Sequence, residues 1–350
     1  MPFSWNAYCG KQYVYAQSQL LMDITIASLP LTAQTDSLSL VVLPNVGDQQ
    51  QKYLLKGLQG AANTERAYRA DLDHYTEWCL QQGMTALPAT PAVLGQYVSA
   101  LAPYRKWATI ARRLSAVRKW HELREVPSPI DDRWLKATLK GIQREHGTHA
   151  EQAPAFGADQ LKTILRGFVT ESKGVPRFTS LRDKVVLLLG FTGAFRRSEL
   201  VALNVEQLHF SEDGVVITYY GSKTNQTGHR EEKALFYSPD ILICPVRTLQ
   251  KWITLLERNK GPLLVRVRKG NELTEERLTD QSIGAIVKKH VGKRYSAHSM
   301  RASFVTTAKL NGADDSEVMQ QTKHKTSAMI RRYTRLDSIK QHNAAKKLGW

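Results

Sequence analysis

Cysteine is scarce in this 350-residue chain: Cys9, Cys79 and Cys244 stand far apart, are odd in number and form no C-x-x-C pair. That excludes a disulfide framework and leaves zinc or dithiol redox chemistry without a foothold. Long apolar runs are missing as well. The longest, Val185 to Phe195, is broken by Gly190 and Gly193 and is too short to cross a bilayer. The N-terminus has no basic stretch followed by an apolar core, so neither export nor membrane insertion is expected, and a reducing cytoplasm is the expected location. There is no G-x-x-x-x-G-K-[ST] loop, no H-E-x-x-H and no acidic cluster suited to two magnesium ions. ATP hydrolysis and metal-dependent nuclease chemistry thus have no site, and neither metal nor cofactor is expected.

Acidic residues are in deficit. Lys and Arg number 49 against 32 Asp and Glu, a formal charge of +17, which suits a polyanionic partner. The excess is unevenly spread. Residues 1–60 hold only Lys11, Lys52 and Lys56 against Asp23, Asp36 and Asp48 and contain no arginine, so all of the excess lies beyond them. Nucleic acid is the leading partner.

The first 60 residues show no sustained periodicity apart from one short strand candidate, Leu38 to Leu43, and read as a poorly ordered or loosely docked arm. From Asn63 or Thr64, either of which can cap a helix, Tyr68, Leu72, Tyr75 and Cys79 recur at helical spacing, and Gly83 ends the run. Further helices fit Pro91–Leu101, Trp107–Leu123 and Asp132–Glu145, punctuated by Pro103, Pro127 and Pro129. The segment from Glu145 to Pro154 lacks apolar content and reads as a linker, placed at 147–155 between a helical domain, 61–146, and a second domain, 156–350. In the second domain helices are expected at Ala158–Phe168, Leu181–Leu189, Arg197–Leu203 and Cys244–Arg258. Val215–Tyr220 and Ala234–Tyr237 read as strands of a small antiparallel sheet joined by a flexible loop, Gly221–Gly228. The fold class is mainly α with a small antiparallel sheet (α+β).

Four segments of the second domain carry phosphate-binding or proton-donating groups. Arg196 follows a Gly-containing turn, with Glu199 one helical turn on, close enough to orient the guanidinium. Lys223 stands between the two strands. In His298-Ser-Met-Arg301, Ser296 can cap a helix whose first turn bears an imidazole and an always-charged guanidinium, a setting suited to an anion. His324 precedes Tyr333 by nine residues, and Thr326 or Ser327 can start a short helix ending near that tyrosine. Each segment alone has an ordinary structural explanation: a surface ion pair, an exposed lysine, a chance H-x-x-R, an amphipathic core tyrosine. Their order along the chain, each in a fitting local setting, does not.

That order resembles the tyrosine recombinase (phage integrase) superfamily, with a domain plan similar to that of the Cre and Xer recombinases, over about residues 61–350. The resemblance implies a SAM-like core-binding domain and a catalytic domain forming a C-shaped DNA clamp. It puts Arg196, Lys223, His298, Arg301, His324 and Tyr333 on the catalytic positions and Glu199 on the supporting acidic position; the R-x-[SA]-E-[LI] register selects Arg196 over Arg197. In the implied chemistry Arg196 and Arg301 clamp the non-bridging phosphate oxygens, His324 donates a further hydrogen bond, Tyr333 attacks and Lys223 protonates the departing 5′ oxygen.

The stretch from Arg105 to Lys119 holds six basic residues, Arg105, Lys106, Arg112, Arg113, Arg118 and Lys119, and no acid. Trp107, Ile110, Leu114, Val117 and Trp120 fill its other side, so the basic run, with Thr109, is expected to face DNA. By resemblance Thr64, Arg66 and Arg69 are further contacts. The implied partners are duplex DNA carrying inverted repeats, three further copies on two paired sites around a Holliday junction, and room for an accessory DNA-binding protein. The free protein is expected to be monomeric, with a C-terminal exchange helix over 336–350. Two rival readings are a type IB topoisomerase and a non-catalytic DNA-binding regulator.

Overall fold

The structure is a computed structural model that describes residues 62–149, 152–222 and 225–331. The N-terminal arm, its candidate strand at Leu38–Leu43, Lys223, Tyr333 and the helix expected at 336–350 lie outside the described residues. The chain divides into two compact units, Met1–Ala150 and Glu151–Trp350.

The described part of the first unit is four helices: α1 (Ala62–Gln81), α2 (Pro91–Leu101), α3 (Trp107–Leu123) and α4 (Arg133–His146). The helix α1 already includes Asn63 and Thr64, so neither acts as the expected cap. The other starts follow the local chemistry. Thr90 accepts from the Val93 amide at 3.2 Å with Pro91 in the first turn, and Asp132 accepts from Trp134 and Leu135 amides at 2.8 and 2.9 Å. Tyr75, Leu94, Tyr97, Val98, Ile110, Leu114, Val117 and Leu135 form the core. Fully buried His121 ties α3 to the start of α2: its Nε2 accepts from the Ala89 amide at 2.9 Å, so the proton sits on Nδ1, 2.8 Å from the Val117 carbonyl.

The second unit is built around α6 (Phe178–Thr192), in which every residue from Leu181 to Gly190 is buried. A helix enclosed on all sides belongs at the centre of a unit. Before it come α5 (Ala158–Arg166) and a small hairpin, β1 (Glu171–Ser172) with β2 (Val175–Pro176). After it come α7 (Arg197–Ala202) and the antiparallel sheet β3 (Leu208–Phe210), β4 (Gly214–Ser222) and β5 (Asn225–Phe236). Next are α8 (Pro245–Leu256), a second hairpin of β6 (Val265–Arg268) and β7 (Glu272–Arg277), then α9 (Asp280–His290), α10 (Ala297–Leu310), α11 (Asp315–Thr322) and α12 (Ser327–Arg331). A Cβ on Gly190 would stand 2.4 Å from the Met300 sulfur, so the Met300 side chain of α10 lies directly against the α6 backbone at that glycine. This close approach brings Arg301 under the end of α6.

The flexible loop expected at Gly221–Gly228 is corrected by the strand pairing. β4 and β5 continue as a hairpin to the pair Ser222↔Asn225, with an irregularity between Tyr220 and Ser222, so only residues 223–224 lie between the strands. None of the described helices is long and apolar enough to cross a membrane.

Candidate functional site

The turn Gly193-Ala194-Phe195 joins α6 to α7 and carries the site. Arg196 is the N-cap residue of α7, and Glu199, 4% exposed, closes a capping box by accepting from the Arg196 amide at 2.9 Å. The other Glu199 oxygen accepts from Arg196 Nη1 at 2.5 Å. One carboxylate thus fixes both the backbone and the guanidinium of the same arginine. Burial would raise the Glu199 pKa, but Lys233 and Arg196 outweigh it and hold the carboxyl below its ordinary range.

From α10, Arg301 reaches the same turn. Its Nη1 donates to the Ala194 carbonyl at 2.7 Å, Nη2 donates to the Thr322 carbonyl, and Nε donates to His324 Nε2 at 3.3 Å. His324 is buried, and its Nδ1 lies 2.9 Å from the Thr322 hydroxyl, which itself donates to the Val318 carbonyl at 2.6 Å. With that hydroxyl proton engaged, His324 carries its proton on Nδ1 and accepts at Nε2. Burial first, then Arg301, Arg196, His298 and Lys233, pull its pKa down to about 3, so the ring is neutral at physiological pH. In this arrangement His324 orients Arg301, whereas donation to a phosphate was the sequence expectation. His298 stands exposed in the first turn of α10, whose capping box pairs Ser296 with Ser299.

The structure therefore gathers the Arg196–Glu199 pair and the Arg301–His324 pair around the Gly193–Phe195 turn, in a network that Lys233 completes, and puts His298 one helical turn from Arg301. Arg196 leaves the turn with its guanidinium held by Glu199, and the Arg301 guanidinium, 1% exposed, is held by the Ala194 carbonyl of the same turn, so both are fixed in place by protein acceptors. Lys233 also belongs to this network, although no motif singles it out. It projects from β5 with its Nζ 2.8 Å from the Gly193 carbonyl and 3.9 Å from Glu199 Oε2. The available signal was strand parity: Lys233 shares the inward face of β5 with Leu235.

In the first unit the basic helix α3 divides. Arg105 and Lys106 are exposed, and Thr109 is half-buried. Arg112, half-exposed, forks onto Asp71 with Nε at 2.7 Å and Nη2 at 2.9 Å. Arg113 is a correction to the expected DNA-facing set. It is 7% exposed, bonds the Tyr97 hydroxyl at 3.1 Å, stands 3.0 Å from His74 Nδ1 and lies 3.6 Å from Asp71, so it faces the core. Arg118 pairs with Asp131 at 3.1 Å and Lys119 with Glu122 at 3.4 Å, both near the surface. Thr64, Arg66 and Arg69 are exposed on α1, where Arg69 approaches Glu65 at 3.6 Å. A second basic face went unnoticed in the sequence: Arg133, Lys136, Lys140 and Arg144 are all exposed on α4 at helical spacing, and Arg133 lies 4.6 Å over the exposed Trp134 ring.

Residues 156–339 match the phage integrase family, and residues 48–124 match the phage integrase N-terminal SAM-like domain. The chain belongs to the phage integrase family of tyrosine recombinases. Among relatives of this recombinase, the integrase/recombinase XerD homolog of Selenomonas ruminantium is 34% identical over 297 residues, spanning 82% of this chain and 86% of that one. Tyrosine recombinase XerC of Pseudomonas fluorescens (strain Pf0-1) is 28% identical over 310 residues, spanning 85% and 93%. Among solved structures, the fold resembles XerH site-specific recombinase bound to palindromic difH substrate, with a TM-score of 0.60 at 17% identity over 85% of this chain and 83% of that one. It also resembles a lambda integrase dimer bound to a COC′ core site, with a TM-score of 0.55 at 13% identity over 92% and 84%.

Proposed function

We propose that this tyrosine recombinase cuts and rejoins DNA at specific sites through a 3′-phosphotyrosyl bond to Tyr333 and a Holliday junction, using neither ATP nor metal. The observation that carries the reading is the pair Arg196 and Arg301 tied to one turn, since two fixed guanidiniums supply the charge that a phosphoryl transition state needs. They hold the two non-bridging oxygens of the scissile phosphate. A free phenol has a pKa of about 10, so the Tyr333 phenol needs a strong positive field to give up its proton as it attacks phosphorus in line, and exposed His298 is the base in this reading. The P–O5′ bond breaks as the P–O(Tyr) bond forms, and Lys223 delivers a proton to the departing 5′ oxygen. A 5′ hydroxyl from a second duplex reverses the step and restores the tyrosine. His324, accepting from Arg301 Nε, keeps that guanidinium in the plane of the phosphate.

In the same reading the helical unit, over about 61–146, holds an inverted-repeat duplex through Arg105, Lys106, Thr109 and Arg112 of α3, the basic face of α4, and Thr64, Arg66 and Arg69 of α1. Four copies assemble on two sites, and the segment 336–350 of each copy docks on its neighbour. An apolar groove of about 510 Å³ in the second unit, lined by Leu161, Leu165, Leu188, Phe191, Phe236 and Ile243 among others, offers such a segment a receptor.

The test is a plasmid carrying two copies of the target site, incubated with the protein in EDTA without ATP. Recombinant circles and a trappable four-way junction are expected, while a plasmid lacking the site stays supercoiled. Equal relaxation of both plasmids would transfer the protein to the type IB topoisomerase reading. Truncation after Arg335 is expected to leave single-site binding within about threefold and to remove synapsis and strand exchange. Gel-shift and junction assays check this, and a truncated protein that still recombines would rule out the docking of 336–350.

A further inference from the structure

Lys233 has no solvent around its side chain. A buried ammonium is unfavourable unless acceptors surround it, and a hydrophobic residue of similar length would fill the same space without that cost. Its surroundings are specific. The Nζ lies 2.8 Å from the Gly193 carbonyl, 3.2 Å from the Ala194 carbonyl, 4.2 Å from the Phe195 ring centre and 3.9 Å from Glu199. Three of these residues directly precede Arg196, and the fourth holds its guanidinium. Ala194 is at φ +46, a left-handed conformation that a residue with a Cβ keeps only when its surroundings enforce it. The carbonyl of that same residue also receives Arg301 Nη1 at 2.7 Å. The Ala194 carbonyl therefore accepts from both Arg301 and Lys233, which together hold the turn.

We propose that Lys233 is a positioning residue for strand cleavage: its side chain locks the Gly193–Phe195 turn and the Glu199 carboxylate so that Arg196 and Arg301 meet the scissile phosphate as one rigid pair. The proposal rests on the reading of those two arginines as the phosphate clamp. Its role is assigned as indirect because the side chain is fully buried and its Nζ is engaged by the Gly193 and Ala194 carbonyls. Burial pulls its pKa down to about 7 against the opposing charge of Glu199, so the protein holds this amine at appreciable cost to its charged form.

The experiment compares two nicked duplexes that trap the covalent adduct, one with an ordinary scissile phosphodiester and one with a methylphosphonate at that position. The methylphosphonate is neutral and needs far less guanidinium charge to reach its transition state. With the full-length protein, Lys233→Met is expected to bind the site as the parent does and to lose about 100-fold in cleavage of the phosphodiester. On the methylphosphonate it should stay within a few-fold of the parent. Equal losses on both substrates would overturn the proposal and make Lys233 a residue of the general fold; no loss on either would also overturn it. Arg301→Ala serves as the control for the clamp. If it shows no phosphodiester-selective loss, the clamp reading itself fails, a result distinct from failure at Lys233. Should Lys233→Met not fold, Lys233→Leu, which likewise removes the donor to the two carbonyls, is read by the same ratio of rates.

Discussion

Replacing Tyr333 by Phe is expected to abolish covalent capture of a nicked site while leaving site binding unchanged. Only the phenolic oxygen is lost, so every contact made by the ring and by the arginines survives, but no atom remains to form the bond to phosphorus. The rate should fall by at least about 10⁴-fold, as removal of a nucleophile does elsewhere. The readout is a protein–DNA band that resists denaturation. A band that persisted would move the nucleophile, and the structure makes Tyr295, three residues before His298, a poor substitute. Tyr295 is 3% exposed, its ring packs edge-on against Phe156 at 5.5 Å, and its hydroxyl is held by Arg294 at 2.5 Å.

The second large effect lies in the helical unit. Asp71 is 3% exposed on α1 and receives a two-pronged hydrogen bond from Arg112, with Arg113 3.6 Å away. Asp71→Ala would leave the buried Arg113 guanidinium without a carboxylate, a change that typically costs about 3–5 kcal/mol. The unit should unfold at markedly lower denaturant, and DNA binding should fail with it. Arg112→Ala, in contrast, strips a half-exposed partner and should cost far less stability. Equilibrium unfolding followed by circular dichroism separates the two; an Asp71→Ala loss below about 1 kcal/mol would mean that water reaches Arg113.

Where the sequence was legible, the reason is local chemistry. The bounds of α2 and α3 are those read from Pro91, Pro103 and the apolar spacing, because caps and prolines act within a few residues of where they stand. Arg196, Glu199 and Arg301 were recoverable because each is written into a short motif at helical spacing. The hairpins β1–β2 and β6–β7 escaped notice: the first has two-residue strands, and β7, Glu-Leu-Thr-Glu-Glu-Arg, shows no clean alternation. The same holds for α9, whose apolar run Ile283–Val287 is only five residues long and contains Gly284, and for α11, which is short and mostly polar. Arg113 misled for a different reason. Its carboxylate partner is on another helix 42 positions earlier, so nothing adjacent to it in the chain distinguishes it from Arg112. Lys233 hid in the same way, since the carbonyls that receive it come from a turn some 40 residues upstream.

The division of α3 bears on retargeting. Arg112 and Arg113 are neighbours in sequence, yet one stands at the rim and the other inside, and both lean on Asp71. A library that randomises the whole basic stretch would include many members that lose the buried Arg113 contacts and with them stability. Confining diversity to Arg105, Lys106 and Thr109, with Asp71, Arg112 and Arg113 held constant, leaves the scaffold intact while the outward residues change. The same partition separates two kinds of change: a substitution at an outward position leaves the contacts to Asp71 in place, whereas one at Arg113 or Asp71 strips a buried charge of its partner.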